Sequence, residues 1–318
     1  MGTVFTSSKD FLDHITCELN NSFDLYSEQF VEGFLTLIYI NSLVDPAEIE
    51  RHCLSSLRQL PLEEKFERRT HMLKWDRILP LLTAKGRLER NNMDDVIADL
   101  LIGKTLAHLA GNPVVYSFDT AKVVKRQLTE PVIERTVRGP QLSFTEAIGD
   151  NVALIRQSIK SRDLVLAKIT LGSHMKTDII IGYLNHLVNT EALTETQRRL
   201  HSFEIDGIID SGYLEQLITD NPWSLFPLTQ NTERPDKVNA AILEGRIAIL
   251  VDGSPQAILV PVTINELYQS PDDYYFGFWF GSFLRFFRIL GNNIAVALPG
   301  LYLALVGVNP DCCQSASL

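Results

Sequence analysis

The spacing of apolar positions changes along the chain, and each spacing predicts a different element. Residues 145–160 place apolar side chains at intervals near 3.6, which predicts a helix with one buried face. Residues 164–170 and 178–184 are rich in β-branched side chains and lie between turn formers, so each predicts a strand. Helices and strands that interleave in this way favour an α/β fold.

The pattern continues downstream. Residues 191–203 predict a polar-faced helix capped by Thr190 or Thr194, and residues 238–244 predict a helix that Gly245 closes. A hairpin follows, because an Asp-Gly pair supplies the positive φ that its turn needs. The two strands and the turn of this hairpin are residues 246–251, 257–262 and 252–253.

Three stretches of the chain recur in the same order, with an offset of about 140 residues. The pairs are 22–25 with 161–164, 37–44 with 181–188, and 103–113 with 245–255. A nearly constant offset favours a duplicated domain. We therefore predict two tandem related α/β subdomains with mixed sheets, followed by an amphipathic or transmembrane helix.

The predicted boundaries follow from this repeat and from the composition of the carboxyl-terminal part. They are a first subdomain at 1–130, a linker at 131–145, a second subdomain at 146–270, an amphipathic interfacial segment at 271–288, a transmembrane helix candidate at 289–310 and a tail at 311–318.

The stretch from Ile289 to Pro310 contains no charged residue, and about 20 apolar residues suffice to cross a bilayer. A buried core helix is the alternative. The aromatic flank before the stretch favours the membrane, because it places Trp279, Arg285 and Arg288 where a membrane interface is expected. By the positive-inside rule, residues 1–270 are expected on the cytoplasmic side.

Composition narrows the class of protein. A net charge of −10 argues against a nucleic-acid binder, since phosphate recognition needs a basic surface. The four cysteines have no zinc or redox spacing, and the amino terminus has no signal-peptide pattern. We expect no cofactor and no metal. Proteins, small solutes or membrane lipid are the expected partners.

Ordered motifs between Val137 and Phe287 resemble the A subunit of the GerA-type spore germination receptors. They include Arg138-Gly139-Pro140, Asp210-Ser211-Gly212-Tyr213, Asp220-Asn221-Pro222-Trp223, Thr232-Glu233-Arg234-Pro235-Asp236 and Leu243-Glu244-Gly245-Arg246. The resemblance implies a protein of the inner spore membrane that works beside B and C subunits in the response to nutrient germinants. Family members continue through further membrane helices, so a truncated or frame-shifted product is an expectation here.

Catalytic motifs are weak. Residues 98–105 end like a phosphate-binding loop but lack its first glycine. Asp206, Asp210 and Asp220 lie in turns, where carboxylates usually cap the backbone. Ser211 and Ser254 lack a nucleophile elbow. We predict no catalytic residue and no enzyme activity, and ligand-binding residues stay unassigned.

Interface residues are the remaining candidates. Charged residues beside rigid Gly-Pro and Pro positions are suited to fix one subdomain against the other or against a neighbouring subunit; the alternative is an intrachain helix cap and salt bridge. Trp223 is suited to line a small pocket or to pack in the core. The set is Arg138, Gly139, Pro140, Trp223, Glu233, Arg234, Pro235 and Asp236.

Two functions compete at this stage. The first is a non-enzymatic receptor subunit, in which the paired subdomains form a cytosolic platform that docks partner subunits or self-associates and relays germinant state to the membrane. The alternative is a solute-binding module that closes on a small ligand between its two subdomains, as hinge-closing binding proteins do.

Overall fold

The computed structural model describes residues 7–30, 35–51, 87–122, 134, 139–203, 205–219, 223–224, 226–270, 273 and 275–304. The chain falls into two compact units. The first unit contains residues 1–131 and 142–261, and the second contains residues 132–141 and 262–318. The first predicted subdomain and residues 146–261 of the second lie in the first unit, whereas residues 262–270 lie in the second unit.

The first subdomain contains three helices and five strands among its described residues. They are α1 Ser8–Glu18, β1 Leu25–Phe30, β2 Leu35–Ile40, α2 Pro46–Ile49, β3 Leu88–Arg90, α3 Met93–Leu101, β4 Lys104–Leu109 and β5 Val115–Asp119. The chain is rich in charged side chains between residues 62 and 92, and most of this stretch lies outside the described residues.

The second subdomain repeats this order of strands, and two helices lie between its first hairpin and its third strand. Its elements are α4 Ile148–Ser158, β6 Leu164–Leu171, β7 Thr177–Leu184, α5 Thr190–Ser202, α6 Ser211–Ile218, β8 Gln230–Thr232, α7 Pro235–Leu243, β9 Ile247–Val251 and β10 Ala257–Val260.

The two sheets have the same topology. Their strand orders are β1-β2-β4-β5-β3 and β6-β7-β9-β10-β8, which are identical once each set is renumbered from its first strand. All pairings between these named strands are antiparallel, so the expectation of mixed sheets is wrong. Each sheet sets two hairpins side by side, and the strands of a hairpin are antiparallel, whereas a parallel pair needs a long crossover connection.

Equivalent glycines confirm the duplication. Gly103 precedes β4 with φ 88°, and Gly245 precedes β9 with φ 85°. A Cβ at Gly103 would lie 2.8 Å from the carbonyl oxygen of Leu43, and one at Gly245 would lie 2.4 Å from that of Leu187. Both positions therefore need glycine for the same two reasons, a left-handed φ and a close backbone neighbour.

Each sheet has a hydrophobic layer on both faces. In the first subdomain, α1 and α3 cover one face with Phe11, Ile15 and Leu100. In the second, α4 and α7 cover one face with residues such as Ile155, while α5 and α6 cover the other with residues such as Leu200. Strands β2 and β9 are covered on both faces and are therefore buried along their whole length. Strands of this kind consist mainly of consecutive apolar residues.

Predicted and observed elements agree where the local pattern is strong. The helix predicted at 145–160 is α4, and the predicted strands correspond to β6, β7, β9 and β10. The capping prediction is wrong: Asn189 caps α5 by accepting hydrogen bonds from the backbone N–H groups of Glu191 and Ala192. Thr190 is already helical, and the Thr194 hydroxyl donates to its carbonyl oxygen.

The described residues of the second unit include two helices, α8 Ile264–Leu267 and α9 Phe278–Leu303. Helix α9 is continuous across parts of the predicted interfacial and transmembrane segments, with Pro299 inside it. It is long and apolar enough to cross a membrane, and none of its most apolar stretch is buried in the structure. This exposure argues against the alternative of a buried core helix.

Candidate interface residues and the contact between subdomains

Four of the predicted interface residues build the start of α7. Arg234 is fully buried, and its Nε and Nη2 donate to both carboxylate oxygens of Asp236 at 3.0 and 2.7 Å. Pro235 occupies the first turn of α7, where a missing N–H costs nothing. The backbone carbonyl of Glu233 accepts a hydrogen bond from Phe144 N at 2.8 Å. These contacts are the intrachain salt bridge and helix start that stood as the alternative reading.

The other predicted residues lie elsewhere. Arg138 is outside the described residues. Gly139 and Pro140 belong to the second unit, where Gly139 has φ 121° and a Cβ there would lie 2.7 Å from the Tyr275 ring. Trp223 is 89% exposed, so the expectation that it packs in the core is wrong. That these residues contribute to a subunit interface remains a prediction.

The residues predicted at the membrane interface divide into two kinds. Trp279 is 85% exposed at the start of α9. Arg288 instead turns back onto its own chain: its Nη1 donates to the carbonyl oxygen of Tyr268 at 2.6 Å and to Asp273 at 2.9 Å. Arg285 Nε lies 3.7 Å from the same carboxylate. One acidic side chain therefore faces both arginines.

The Asp273 carboxyl is almost fully buried. Burial by itself would raise its pKa, but hydrogen bonds from Arg288 and from the Ser270 backbone outweigh burial and hold the pKa below its usual range. The ionised carboxylate therefore stays in place and ties the segment before α9 to the third turn of that helix.

The stretch that resembles a phosphate-binding loop has a structural explanation. Lys104 Nζ lies 2.8 Å from the buried Asp99 carboxylate, which Arg90 also binds. Burial would raise the pKa of Asp99, yet hydrogen bonds from Arg90 and Lys104 lower it to about 2. The lysine that would contact a phosphate is thus engaged by an aspartate of α3.

The candidate turn residues form a second structural network. Ser254 donates to Ser211 at 2.9 Å, and Ser211 donates to Asp210 at 3.3 Å. The hydrogen bond from Ser254 is the main reason that the pKa of Asp210 is lowered. These residues link the start of α6 to the hairpin of β9 and β10. Asp220 lies outside the described residues.

A buried ion pair of the first unit joins the two subdomains. Arg156 of α4 is 1% exposed and Asp24, just before β1, is 2% exposed. Arg156 Nε and Nη2 donate to the two Asp24 oxygens at 3.2 and 2.9 Å, and Nη2 also donates to Ser22 Oγ at 2.7 Å. Burial would raise the pKa of Asp24, but the charge and hydrogen bonds of Arg156 lower it overall.

Sequence reasoning missed this pair, although a signal was present. Arg156 lies four residues after Val152, on the same helix face as the apolar positions of α4. A charged residue on an apolar face indicates burial beside a partner, because an unpaired buried charge is costly. The partner is far away in sequence and is therefore invisible to local patterns.

Two antiparallel α/β subdomains ahead of one long apolar helix define the class of protein, a two-part domain joined to a candidate membrane helix. The family model described as "Bacillus/Clostridium GerA spore germination protein" matches residues 13–318. The chain belongs to this family.

Individual spore germination proteins are also similar to this chain in sequence. Spore germination protein A1 of Bacillus subtilis is 39% identical over 241 residues, which are 74% of this chain and 50% of the relative. Spore germination protein B1 of the same organism is 43% identical over 190 residues, 60% of this chain and 39% of the relative. The chain spans about half the length of several curated relatives that it matches.

A solved structure is also similar. The crystal structure of the N-terminal domain of the A subunit of the Bacillus megaterium spore germinant receptor GerK3 matches with a TM-score of 0.61 and 28% identity. The match covers 83% of this chain and 98% of that chain. The predicted α/β class with two related subdomains is confirmed, with antiparallel sheets in place of mixed ones.

Proposed function

We propose that this chain is a subunit of a membrane-bound germinant receptor and that its two subdomains form an assembly and signal-relay platform on the cytoplasmic side of the inner spore membrane. Helix α9 anchors the platform. The proposal rests on the presence, in one chain, of a two-subdomain unit and an exposed apolar helix of 26 residues. Membership in the GerA family supports the receptor role.

The proposed partners are B and C subunits of the receptor, further copies of this chain, and membrane lipid. Exposed aromatic side chains on the second subdomain supply the docking surface that we propose for protein partners. Trp223 and Phe226 are 89% and 58% exposed, and a large exposed apolar group is characteristic of interaction sites. The predicted interface residues near Arg234 belong to the same subdomain.

Affinity capture tests the assembly role. Tagged chain is extracted with mild detergent from sporulating cells that carry labelled B and C subunits. We expect both subunits to copurify, and we expect Trp223→Ser to reduce their yield without changing the circular dichroism of the chain. The matched control is Tyr26→Ser, which removes an exposed aromatic from the first subdomain. Capture that is equal for all three chains would contradict the docking surface.

Thiol labelling tests the orientation. Cys17 is exposed in the structure, so a chain that retains it as the sole cysteine reports where the first subdomain lies. We expect a membrane-impermeant maleimide to label inside-out vesicles and to leave right-side-out vesicles unlabelled. Labelling of right-side-out vesicles would contradict the cytoplasmic side, and chain in the soluble fraction would contradict anchoring.

A further inference from the structure

The surface on which the two subdomains meet, here called the seam, contains a buried ion pair between Arg156 and Asp24. A guanidinium has five N–H donors. Arg156 uses one on the carbonyl oxygen of Leu164 at 3.0 Å in its own subdomain, and three more on Asp24 and Ser22 in the other subdomain. Among the described residues, neither Asp24 nor Arg156 has a second charged partner, so separating the subdomains would expose or orphan both groups.

Backbone contacts reinforce the pair. Phe23 N donates to the carbonyl oxygen of Leu166 at 3.0 Å, and Leu166 N donates to Ser22 Oγ at 3.2 Å. The loop before β1 thus supplies hydrogen bonds to the edge strand β6. The Phe23 side chain packs against the hydrophobic core of the second subdomain. The loop of one subdomain is therefore part of the packing of the other.

A rim of more exposed contacts surrounds the buried pair. Lys122 Nζ lies 2.7 Å from Asp150, and Arg162 Nη1 lies 3.1 Å from Glu18. These exposed pairs contribute little free energy individually. They lie between the subdomains, outside the buried contact, and restrict rotation about it.

We propose that the two subdomains behave as one rigid body, locked by the contact of Arg156 with Asp24 and Ser22. A signal then moves the pair as a unit, and no cleft opens or closes between the subdomains during the response. This rigidity does not depend on the proposed receptor role, because it follows from the seam alone. It opposes the hinge-closing alternative.

Pulsed electron paramagnetic resonance on the full chain in detergent micelles tests the lock. Spin labels are placed at Gln29→Cys in β1 and Thr194→Cys in α5, both exposed positions, after the four native cysteines are replaced by serine. We expect one narrow distance population that a mixture of L-amino acids and glucose leaves unchanged. We expect Arg156→Met to broaden this population by about twofold, because the remaining buried charge of Asp24 drives the seam apart.

Two controls separate loss of the lock from general loss of stability. Asp99→Asn weakens a buried ion pair that lies entirely within the first subdomain, so it is expected to lower stability while the distance population stays narrow. Arg162→Met removes only a rim contact and is expected to change little. If Arg156→Met does not fold, Ser22→Ala and Arg156→Lys provide milder versions, for which we expect intermediate broadening.

The proposal would be overturned by either of two results. The first is a wild-type chain with two distance populations, or one population that shifts with the solute mixture. The second is a distance population that stays narrow in every folded variant of the lock.

Discussion

The two subdomains share a backbone plan but use one equivalent aspartate differently. The backbone carbonyl oxygen of Asp24, just before β1, accepts a hydrogen bond from Asn41 N at 2.8 Å. That of Asp163, just before β6, accepts one from Asn185 N at 3.0 Å. A serine two residues earlier donates to each carboxylate. Asp24 is nevertheless buried against Arg156, whereas the Asp163 side chain is 33% exposed and faces His186.

This difference teaches that duplication preserved the local turn and that the tertiary neighbour decided its role. The first copy of the turn is covered by α4 of the other subdomain, and its carboxylate meets a buried arginine. The second copy is partly exposed to solvent, where the contact between Asp163 and His186 contributes little free energy. Equivalent residues in repeats are therefore equivalent in backbone geometry and not in energy.

Breaking the buried ion pair of Arg156 and Asp24 is expected to lower the stability of the chain more than any other change considered below. Arg156→Met leaves the buried Asp24 carboxyl without its cation, so we expect the free energy of unfolding to fall by about 3–5 kcal/mol. Urea denaturation followed by circular dichroism in micelles measures this. The double variant Asp24→Leu with Arg156→Met removes both charges and should recover most of the loss. A double variant as unstable as the single one would contradict the charge argument.

The equivalent glycines come next. Gly245→Ala forces a left-handed φ on alanine and brings its Cβ to 2.4 Å from Leu187 O, so we expect a loss of about 2–4 kcal/mol. Gly103→Ala is expected to cost somewhat less because its nearest atom lies at 2.8 Å. The control is Gly111→Ala, which has φ 89° but no atom within 4 Å. Equal losses at all three glycines would show that the close contacts do not matter.

Acid is expected to weaken the first subdomain through Asp99. Its folded pKa of about 2 lies below the ordinary value of 3.8, so its contribution to stability is present above that ordinary value. This contribution is lost as the pH falls from about 4 towards 2. Unfolding curves of wild type and Asp99→Asn at several pH values should converge across this window. Curves that remain equally far apart would contradict the low pKa.

Removing the partly exposed contact of Asp163 should change the stability least. Asp163→Asn removes a partly exposed contact with His186, and we expect a change in unfolding free energy of less than about 1 kcal/mol. Asp24→Asn is the matched substitution at the buried position. The same urea measurement compares the two. Equal losses for these variants would show that burial in the seam does not distinguish the repeated turns.

Much of the second subdomain was predictable because its signals are local. The period of α4 and the β-branched runs of β6 and β7 lie within short windows, and Gly245 and Asp252-Gly253 mark a helix end and a hairpin turn. Strand β8 was missed because it is three polar residues at a sheet edge, with no apolar alternation to detect. The cap of α5 was misplaced by one position or more because several polar residues near its start are suitable caps.

The candidate site was less predictable than the fold. The motif around Arg234 indicated a rigid charged cluster, and the structure places Arg234 and Asp236 together at the start of α7. The exposure of Trp223 was not predictable, since an aromatic residue between prolines fits a core or a surface equally well. The buried ion pair between the subdomains involves Asp24 and Arg156, which are 132 positions apart in the chain.

The amino-acid sequence alone determined the α/β class, the duplication, the glycine-dependent turns and the apolar helix near the carboxyl terminus. Each of these depends on spacing or backbone conformation within a few residues. Only the tertiary structure decided that the paired strands are antiparallel, that Asp24 is buried while Asp163 is partly exposed, and that Arg288 binds its own chain. These outcomes depend on which distant groups exclude water from a charge, and the cost of burying a charge is set by that neighbourhood.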